Sequence, residues 1–105
     1  MGEKEGGIFA EGGRIVVKRD LGFGQGIRLE AILKSLFASA DKEVLIDLSE
    51  VRHLCSSNLA SLAAACNVIS HRGRTVKIVA PTAVARVLRL GGVERIATIE
   101  EVNKE

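Results

Sequence analysis

A small α/β domain is the fold class that the sequence predicts, on the strength of three observations. The chain has 105 residues and 47% apolar content, which suits one globular domain. Short aliphatic runs typical of strands alternate with segments of helical periodicity. The connections are short, which favours neighbouring parallel strands joined by right-handed crossovers. We expect about four strands in a mixed sheet, with helices packed against it, over residues 14–102.

The first part of the chain predicts one strand and one helix. Residues 1–13 hold five of the 11 glycines and are expected to form a flexible tail or a short edge strand near Ile8. The β-branched run at residues 14–19 predicts a strand. A glycine-rich loop at residues 22–26 leads to a predicted helix, because apolar residues recur at near-helical spacing over residues 27–37.

The middle of the chain predicts a second strand and a second helix. Residues 43–48 form the strand, and its four apolar residues suggest that both faces are covered. The helix is expected to begin near Ser56 or Ser57 and to end near His71, where a glycine follows. Its inward face is predicted to carry Leu59, Leu62, Ala63, Cys66 and either Ile69 or Ser70.

The last part of the chain predicts a third strand and a third helix. Residues 74–79 alternate in polarity and form the strand. A helix opened by Pro81 and stopped by a glycine pair follows. Residues 93–99 predict a turn and a short final segment, and residues 103–105 a charged tail. The inward residues of the third helix are predicted to be Val84, Val87 and Leu88.

Composition argues against several classes of partner. The net charge is +2, from 15 basic and 13 acidic residues, and there are three Phe and no Trp or Tyr. A mixed surface with few aromatic side chains is not the footprint of a nucleic-acid-binding protein. No apolar run approaches the ~18 residues of a membrane span, and the N-terminus lacks a signal-peptide pattern. We therefore expect a cytoplasmic protein without membrane insertion. Two cysteines without metal-ligand spacing indicate reduced thiols, no metal and no cofactor.

The chemistry-bearing residues concentrate where the second strand passes into the following helix. Ser56, Ser57 and Asn58 are each suitable N-caps, because a side-chain oxygen can accept from the backbone N–H groups of a first helical turn. Those N–H groups and the positive helix end would also stabilise an anion, such as a phosphoserine carrying about −1.5 to −2 charges. Residues 56–58 therefore fit both a structural interpretation, as helix caps, and a functional one, as a phosphorylation site. Cys55 precedes the helix, where the pKa of a thiol tends to fall.

Catalytic and nucleotide-binding interpretations fit the sequence less well. The glycines of residues 22–26 lie between a strand and a helix, but their spacing departs from G-x-G-x-x-G. Ser57, His53 and Asp47 could form a hydrolase triad, yet no G-x-S-x-G elbow surrounds the serine. A thiol-reactive sensor at Cys55 and nucleotide binding are minor hypotheses. We predict no enzyme activity.

Residues 45–59, with the sequence LIDLSEVRHLCSSNL, resemble the signature of STAS domains, the family of anti-sigma factor antagonists and their relatives. In that family an apolar strand and D-L-S/T are followed, after a short loop, by D-S-S/T-G-L. Residues 73–79 are similar to the family's third strand, and residues 83–96 to its following helix and turn. The resemblance covers residues 14–102 and implies a small STAS-like fold.

The resemblance also implies a non-enzymatic binding module for bacterial signalling and transcription regulation. In the phosphorylated branch of the family, a partner that is both an anti-sigma factor and a serine kinase modifies a serine of D-S-S/T-G. The unmodified protein captures that partner. Ser57 matches the usual phosphoacceptor, and Ser56 is its neighbour. The alternative is a phosphorylation-independent module that docks on a transporter ATPase, a sensor or a scaffold. We expect a monomer or a weak dimer.

Three positions that border the candidate serine depart from the family pattern. Cys55 stands where the family has Asp, and Asn58 stands where it has Gly. Gly22 falls at a second acidic position, if residues 19–23 match the family's G-E-L-D-F loop. A thiol and a glycine cannot orient a serine hydroxyl as two carboxylates can. The residues that we predict to line the partner-binding surface are Cys55, Asn58, Gly22, Phe23 and Gly24.

Overall fold

Five strands and two α-helices make up most of the chain that the structure describes. The structure is a computed structural model, and it describes residues 8–11, 14–18 and 43–102. The loop and helix predicted over residues 22–37 lie outside these ranges. The strands are β1 (Ile8–Glu11), β2 (Arg14–Val17), β3 (Glu43–Asp47), β4 (Thr75–Pro81) and β5 (Thr98–Val102). The helices are α1 (Ser56–His71) and α2 (Thr82–Leu90), with a 3₁₀ helix at Val93–Arg95.

The strands form one sheet in the order β1-β2-β3-β4-β5. The four strands from β2 to β5 are parallel to one another, and β1 pairs with β2 in the antiparallel direction. Among the described strands, β1 alone makes the sheet mixed, and it raises the strand number from about four to five. The predicted α/β architecture, with helices packed against a sheet, is confirmed.

One face of the sheet carries an aliphatic core. Buried and half-buried side chains alternate along β4, because successive side chains of a strand point to opposite faces. The register places Ile15 beside Ile46, Ile46 beside Ile78, and Ile78 beside Ile99. The first three are fully buried and Ile99 is partly buried. An isoleucine ladder therefore crosses the four parallel strands.

The second face of β3 is less covered than its apolar run predicts. Leu45 and Asp47 point to that face and are only half-buried, whereas Val44 and Ile46 on the core face are fully buried. The predicted cover is therefore complete on the core face of β3 and only partial on the face that carries Leu45. Both described helices instead contribute to the one core.

The buried stripe of α1 starts one residue earlier than predicted, whereas that of α2 starts at Val84 as predicted but continues through Ala85 in place of Val87. Leu59, Ala63 and Val87 were expected to face inward and are only partly buried. The buried residues of α1 are Asn58, Leu62, Ala65, Cys66 and Ile69, and those of α2 are Val84, Ala85 and Leu88. The predicted stripe of α1 begins at the apolar Leu59, whereas the observed stripe begins at the polar Asn58.

β5 is the element that the sequence did not reveal as a strand. Two adjacent glutamates interrupt its apolar pattern, and the structure shows a cation for each of them. Glu100 lies 2.7 Å from Lys77 Nζ, and Glu101 Oε1 accepts from Arg89 Nη1 at 2.9 Å. The hydrogen bond to Glu100 raises the pKa of Lys77. Because Lys77 is on β4 and Arg89 is on α2, only the folded structure shows that the charges of the two glutamates are paired.

Gly73 closes the end of α1 in a left-handed conformation, with φ of +80°. Its N–H donates to Ser70 O at 3.0 Å, and an added Cβ would meet open space, so a substitution would test backbone strain alone. We expect Gly73→Ala to lower the free energy of unfolding by about 1 kcal/mol. Gly73→Asn should lower it less, because asparagine tolerates this conformation better. Urea denaturation compares the three proteins, and equal stabilities would contradict the expectation.

Candidate functional site

A well-anchored loop leads from β3 to α1. Leu48 N donates to Val79 O at 2.7 Å, and Val51 N donates to Leu48 O at 2.9 Å. The side chains of Leu48 and Val51 are fully buried. Ser49 N donates to Asp47 Oδ1 at 2.9 Å, a local turn that aspartate favours. These bonds and the two buried side chains fix the point from which the chain enters α1.

Cys55 is the N-cap residue of α1, with an extended backbone of φ −76° and ψ 163°. The first helical hydrogen bond runs from Leu59 N to Cys55 O at 2.9 Å. The N–H groups of the first turn therefore have no acceptor within the helix. This turn has no acidic residue, and the side chains of Ser56 and Ser57 are exposed. The positive end of the helix dipole thus lies beside two serine hydroxyls.

Three side chains form a small polar cluster at this helix end. Cys55 Sγ lies 3.2 Å from Ser57 Oγ, and Asn58 Nδ2 donates to Cys55 Sγ at 3.2 Å. The hydrogen bond with the Ser57 hydroxyl, followed by one from the backbone of Asn58, lowers the pKa of the exposed Cys55 thiol. The sulfur of Cys55 therefore lies directly beside the hydroxyl of Ser57.

The outward side of α1 carries no acidic side chain and no lysine or arginine. The helix has 16 residues and contains no Asp, Glu, Lys or Arg. Ser57, Ala60, Ala64 and Val68 recur at helical spacing and are exposed, with Val68 40% exposed. We call these four residues the docking face. A helix that is uncharged on its outer side as well as its inner side is unusual at a protein surface.

Solved structures provide the comparison that identifies the fold. No family model matches the chain, and no curated protein matches it. The crystal structure of TM1081 from Thermotoga maritima, a candidate anti-sigma factor antagonist, aligns with a TM-score of 0.68 and 19% identity over 90% of this chain and 85% of that one. The NMR structure of TM1081 gives 0.70 and 16% identity over 97% and 85%. The chain has a STAS-like fold.

The STAS-like domain brings together some of the predicted site residues. Cys55, Ser56 and Ser57 lie together and exposed at the start of α1. The prediction that Asn58 lines a partner-binding surface is wrong, because its side chain is fully buried. It faces the core at the start of the buried stripe, and its amide donates to Cys55. Gly22, Phe23 and Gly24 lie outside the described residues.

Asp47 has a structural role in this STAS-like domain. Its Oδ1 accepts from Ser49 N at 2.9 Å, and its Oδ2 lies 4.0 Å from Arg14 Nη2. The carboxylate therefore stabilises a turn at the end of β3. In a hydrolase triad with Ser57 and His53 it would instead have to orient the histidine. Within the described ranges, no group of three or more His, Cys, Asp or Glu side chains could hold a metal ion. Neither described helix is long and apolar enough to cross a membrane.

The docking face was predicted only in part. The predicted partner-binding surface includes only Cys55 and Asn58 from this part of the chain, together with residues 22–24. The absence of charge over 16 consecutive residues is visible in the sequence and extends the surface along the whole helix. Which side of α1 is exposed required the structure, because its alanines occur at exposed, partly buried and buried positions alike.

The two thiols of the domain are expected to differ strongly in reactivity. Cys55 is exposed and its pKa lies below the ordinary value of 9.0, so its thiolate fraction at neutral pH is raised. Burial raises the pKa of Cys66 to about 12. A maleimide at pH 7 should modify Cys55 in the folded protein and Cys66 only after unfolding. Peptide mapping after timed labelling measures this, and equal labelling of both thiols would contradict it.

Ionisation of Cys66 also makes stability depend on pH. The unfolded thiol loses its proton near pH 9, whereas the folded thiol keeps it to about pH 12. The unfolded state therefore binds fewer protons over this window, and stability falls as pH rises through it. Replacing Cys66 with alanine should remove this part of the pH dependence, as urea denaturation between pH 8 and pH 10 would measure. An unchanged pH dependence would contradict the expectation.

Proposed function

We propose that this STAS-like domain is a protein-binding module of the anti-sigma factor antagonist kind, and that phosphorylation of Ser57 controls it. The partner is an anti-sigma factor that is also a serine kinase. The observation that carries the proposal is an exposed serine in the first turn of a helix whose outer side has no Asp, Glu, Lys or Arg. The proposed role is non-catalytic and cytoplasmic, and it requires no metal or cofactor.

The position of Ser57 suits a phosphate group in physical terms. A phosphoserine adds about −1.5 to −2 charges and three acceptor oxygens. The first-turn N–H groups and the positive helix end would stabilise that charge, so the domain would remain folded. The same charge would appear at one end of the docking face, where the free protein has none. A partner that packs against these small uncharged side chains would have to bury the phosphate charge, and its affinity would fall.

The docking face supports a protein partner over a small molecule. Ala60, Ala64 and Val68 present a shallow surface of small apolar side chains, which allows another backbone to approach closely. TM1081, which has the same fold, is a candidate anti-sigma factor antagonist, and that role involves binding another protein. Ser57 at the end of this surface would act as the control point. Ser56 is exposed beside it and is the second candidate acceptor.

Intact-mass measurement tests the phosphorylation step. The full chain is incubated with ATP and a serine kinase of the histidine-kinase ATPase type from the same genome. We expect one adduct of about +80 Da. The adduct should persist in Ser56→Ala and disappear in Ser57→Ala, which is a matched pair of neighbouring exposed serines. If the kinase modifies a control antagonist under the same conditions but adds no phosphate to this chain, the proposed switch is wrong.

The second candidate function is a phosphorylation-independent module that docks on a transporter ATPase, a sensor or a scaffold. The thiol of Cys55 favours it, because it occupies the position beside Ser57 where a carboxylate would orient the hydroxyl. The first turn of α1 also lacks any acidic residue. On this alternative, Ser57→Ala and Ser57→Asp would bind the partner equally well. A loss of binding in Ser57→Asp alone favours the switch.

A further inference from the structure

A groove runs along the outer side of α2, between that helix and β5, and no residue of the docking face lines it. It has a volume of about 400 Å³. The groove is not confined to the helix, because a residue of the following 3₁₀ helix also lines it. The lining residues are Thr82, Arg86, Arg89, Leu90, Glu94 and Glu101.

Leu90 is the most exposed large apolar side chain in the part of the chain that the structure describes. It is 82% exposed, against 40% for Val68. The backbone just after Leu90 is held by a hydrogen bond from Gly91 N to Val87 O at 3.0 Å. Leu90 therefore projects from a hydrogen-bonded helix end, and its apolar surface stays in water unless another molecule covers it.

The charges of the groove cancel, since two arginines and two glutamates line it. Arg89 contacts both carboxylates, because its Nη1 donates to Glu101 Oε1 at 2.9 Å and its Nε lies 3.7 Å from Glu94 Oε1. Arg86 adds a weaker attraction to Glu101. A neutral groove favours neither an acidic nor a basic partner, so the arrangement of the charges decides what fits it.

That arrangement is self-complementary about Leu90. Arg86 precedes Leu90 by four residues, or about 6 Å of helix, and Glu94 follows it by four residues on the 3₁₀ helix. In a two-fold contact, residue i of one copy meets residue j of the other, and j meets i. If two copies pack α2 against α2 in opposite directions with Leu90 at the axis, each Arg86 meets a Glu94 and the two leucines meet each other.

We propose that this groove is a dimerisation surface, and that its occupant is the same surface of a second copy of this chain. Burial of the two Leu90 side chains would stabilise the contact, and the two pairs of Arg86 with Glu94 would fix its register. The neutrality of the groove suits this occupant, because two identical surfaces that carried a net charge would repel each other. The contact is independent of Ser57 and of the proposed function.

The size of the groove predicts a weak dimer. Six residues line it, whereas a standard interface has ~20–30 residues on each side. We expect sedimentation velocity of the full chain to show a monomer at about 10 μM and a growing dimer fraction toward about 1 mM. Amide NMR signals of α2 and of the 3₁₀ helix should shift over this range, and those of α1 should not. A monomer at every concentration, or shifts confined to α1, would overturn the proposal.

Two charge reversals test the predicted pairing. Arg86→Glu alone would place glutamate opposite glutamate at both ends of the contact, and Glu94→Arg alone would place arginine opposite arginine. Each variant should raise the dissociation constant of its own dimer at least tenfold. An equimolar mixture of the two should form a heterodimer at least tenfold tighter than either homodimer, because every pair then has opposite charges. A mixture that associates no better than the separate variants would refute the two-fold arrangement.

Two more variants separate the groove from the surface around it. Leu90→Ser removes the apolar centre and should raise the dissociation constant of the dimer at least tenfold, with little change in stability because the side chain is exposed. Arg95→Glu is the matched control, because Arg95 is exposed on the 3₁₀ helix and does not line the groove. It should change the dissociation constant less than twofold. If Arg95→Glu formed as tight a heterodimer with Glu94→Arg as Arg86→Glu does, net charge alone would explain the association and the proposal would be wrong.

Discussion

Replacing Ile78 with alanine is expected to lower the free energy of unfolding by about 2–5 kcal/mol. Ile78 is fully buried at the centre of the isoleucine ladder, between Ile46 on β3 and Ile99 on β5. Alanine would remove three buried carbon atoms and leave a cavity between the sheet and the helices. Packed strands and helices collapse only partly around such a space, so the lost contacts are not regained.

The neighbouring residue Val79 provides the control for this prediction. Val79 points to the opposite face of β4 and is half-buried. Val79→Ala removes two methyl groups that are already partly in water, so its cost should be about 1 kcal/mol. Urea denaturation of Ile78→Ala, Val79→Ala and the unchanged protein measures both values. If the two variants were equally stable, the assignment of the core to one face of the sheet would be wrong.

Replacing Ala60 with glutamate is expected to weaken binding of the serine-kinase partner at least tenfold, which corresponds to about 1.4 kcal/mol. Ala60 is exposed in the docking face, one helical turn after Ser57. A carboxylate there would be buried without a counter-charge when the partner packs against α1. The stability of the free domain should change by no more than about 0.5 kcal/mol, because the site is exposed and helical.

Ala83→Glu is the matched control for the docking face. Ala83 is also an exposed alanine, but it lies in the first turn of α2 and outside the docking face. Calorimetric titration with the partner should give the same dissociation constant for Ala83→Glu as for the unchanged protein. Equal losses of affinity in Ala60→Glu and Ala83→Glu would mean that added negative charge, rather than its position on α1, controls binding.

The order β2, β3, α1, β4, α2 was predictable because local signals were strong. β-branched runs marked β2, β3 and β4, and Gly73 marked the end of α1 within one residue of its position. These signals depend on residues that are neighbours in sequence, such as a helix end and its following glycine. The resemblance to STAS domains then predicted the fold that the solved structures support.

The features that sequence analysis missed depend on contacts between distant residues. β5 was not predicted, and the cations that pair with its glutamates, Lys77 and Arg89, are distant from it in sequence. The burial of Asn58 could not be predicted from its neighbours, because the two serines before it are exposed. In the structure the amide of Asn58 donates a hydrogen bond to Cys55 Sγ, so this buried polar side chain is part of the polar cluster at the start of α1.

The most direct test of the proposed function measures one dissociation constant in two states of the same protein. The full chain is phosphorylated stoichiometrically, the modified residue is confirmed by peptide mapping, and both forms are titrated with the partner. We predict that the form carrying phosphate on Ser57 binds at least tenfold more weakly, because the phosphate charge lies at the end of an uncharged docking face. Equal affinity of the two forms would contradict control by Ser57 and would favour the phosphorylation-independent module.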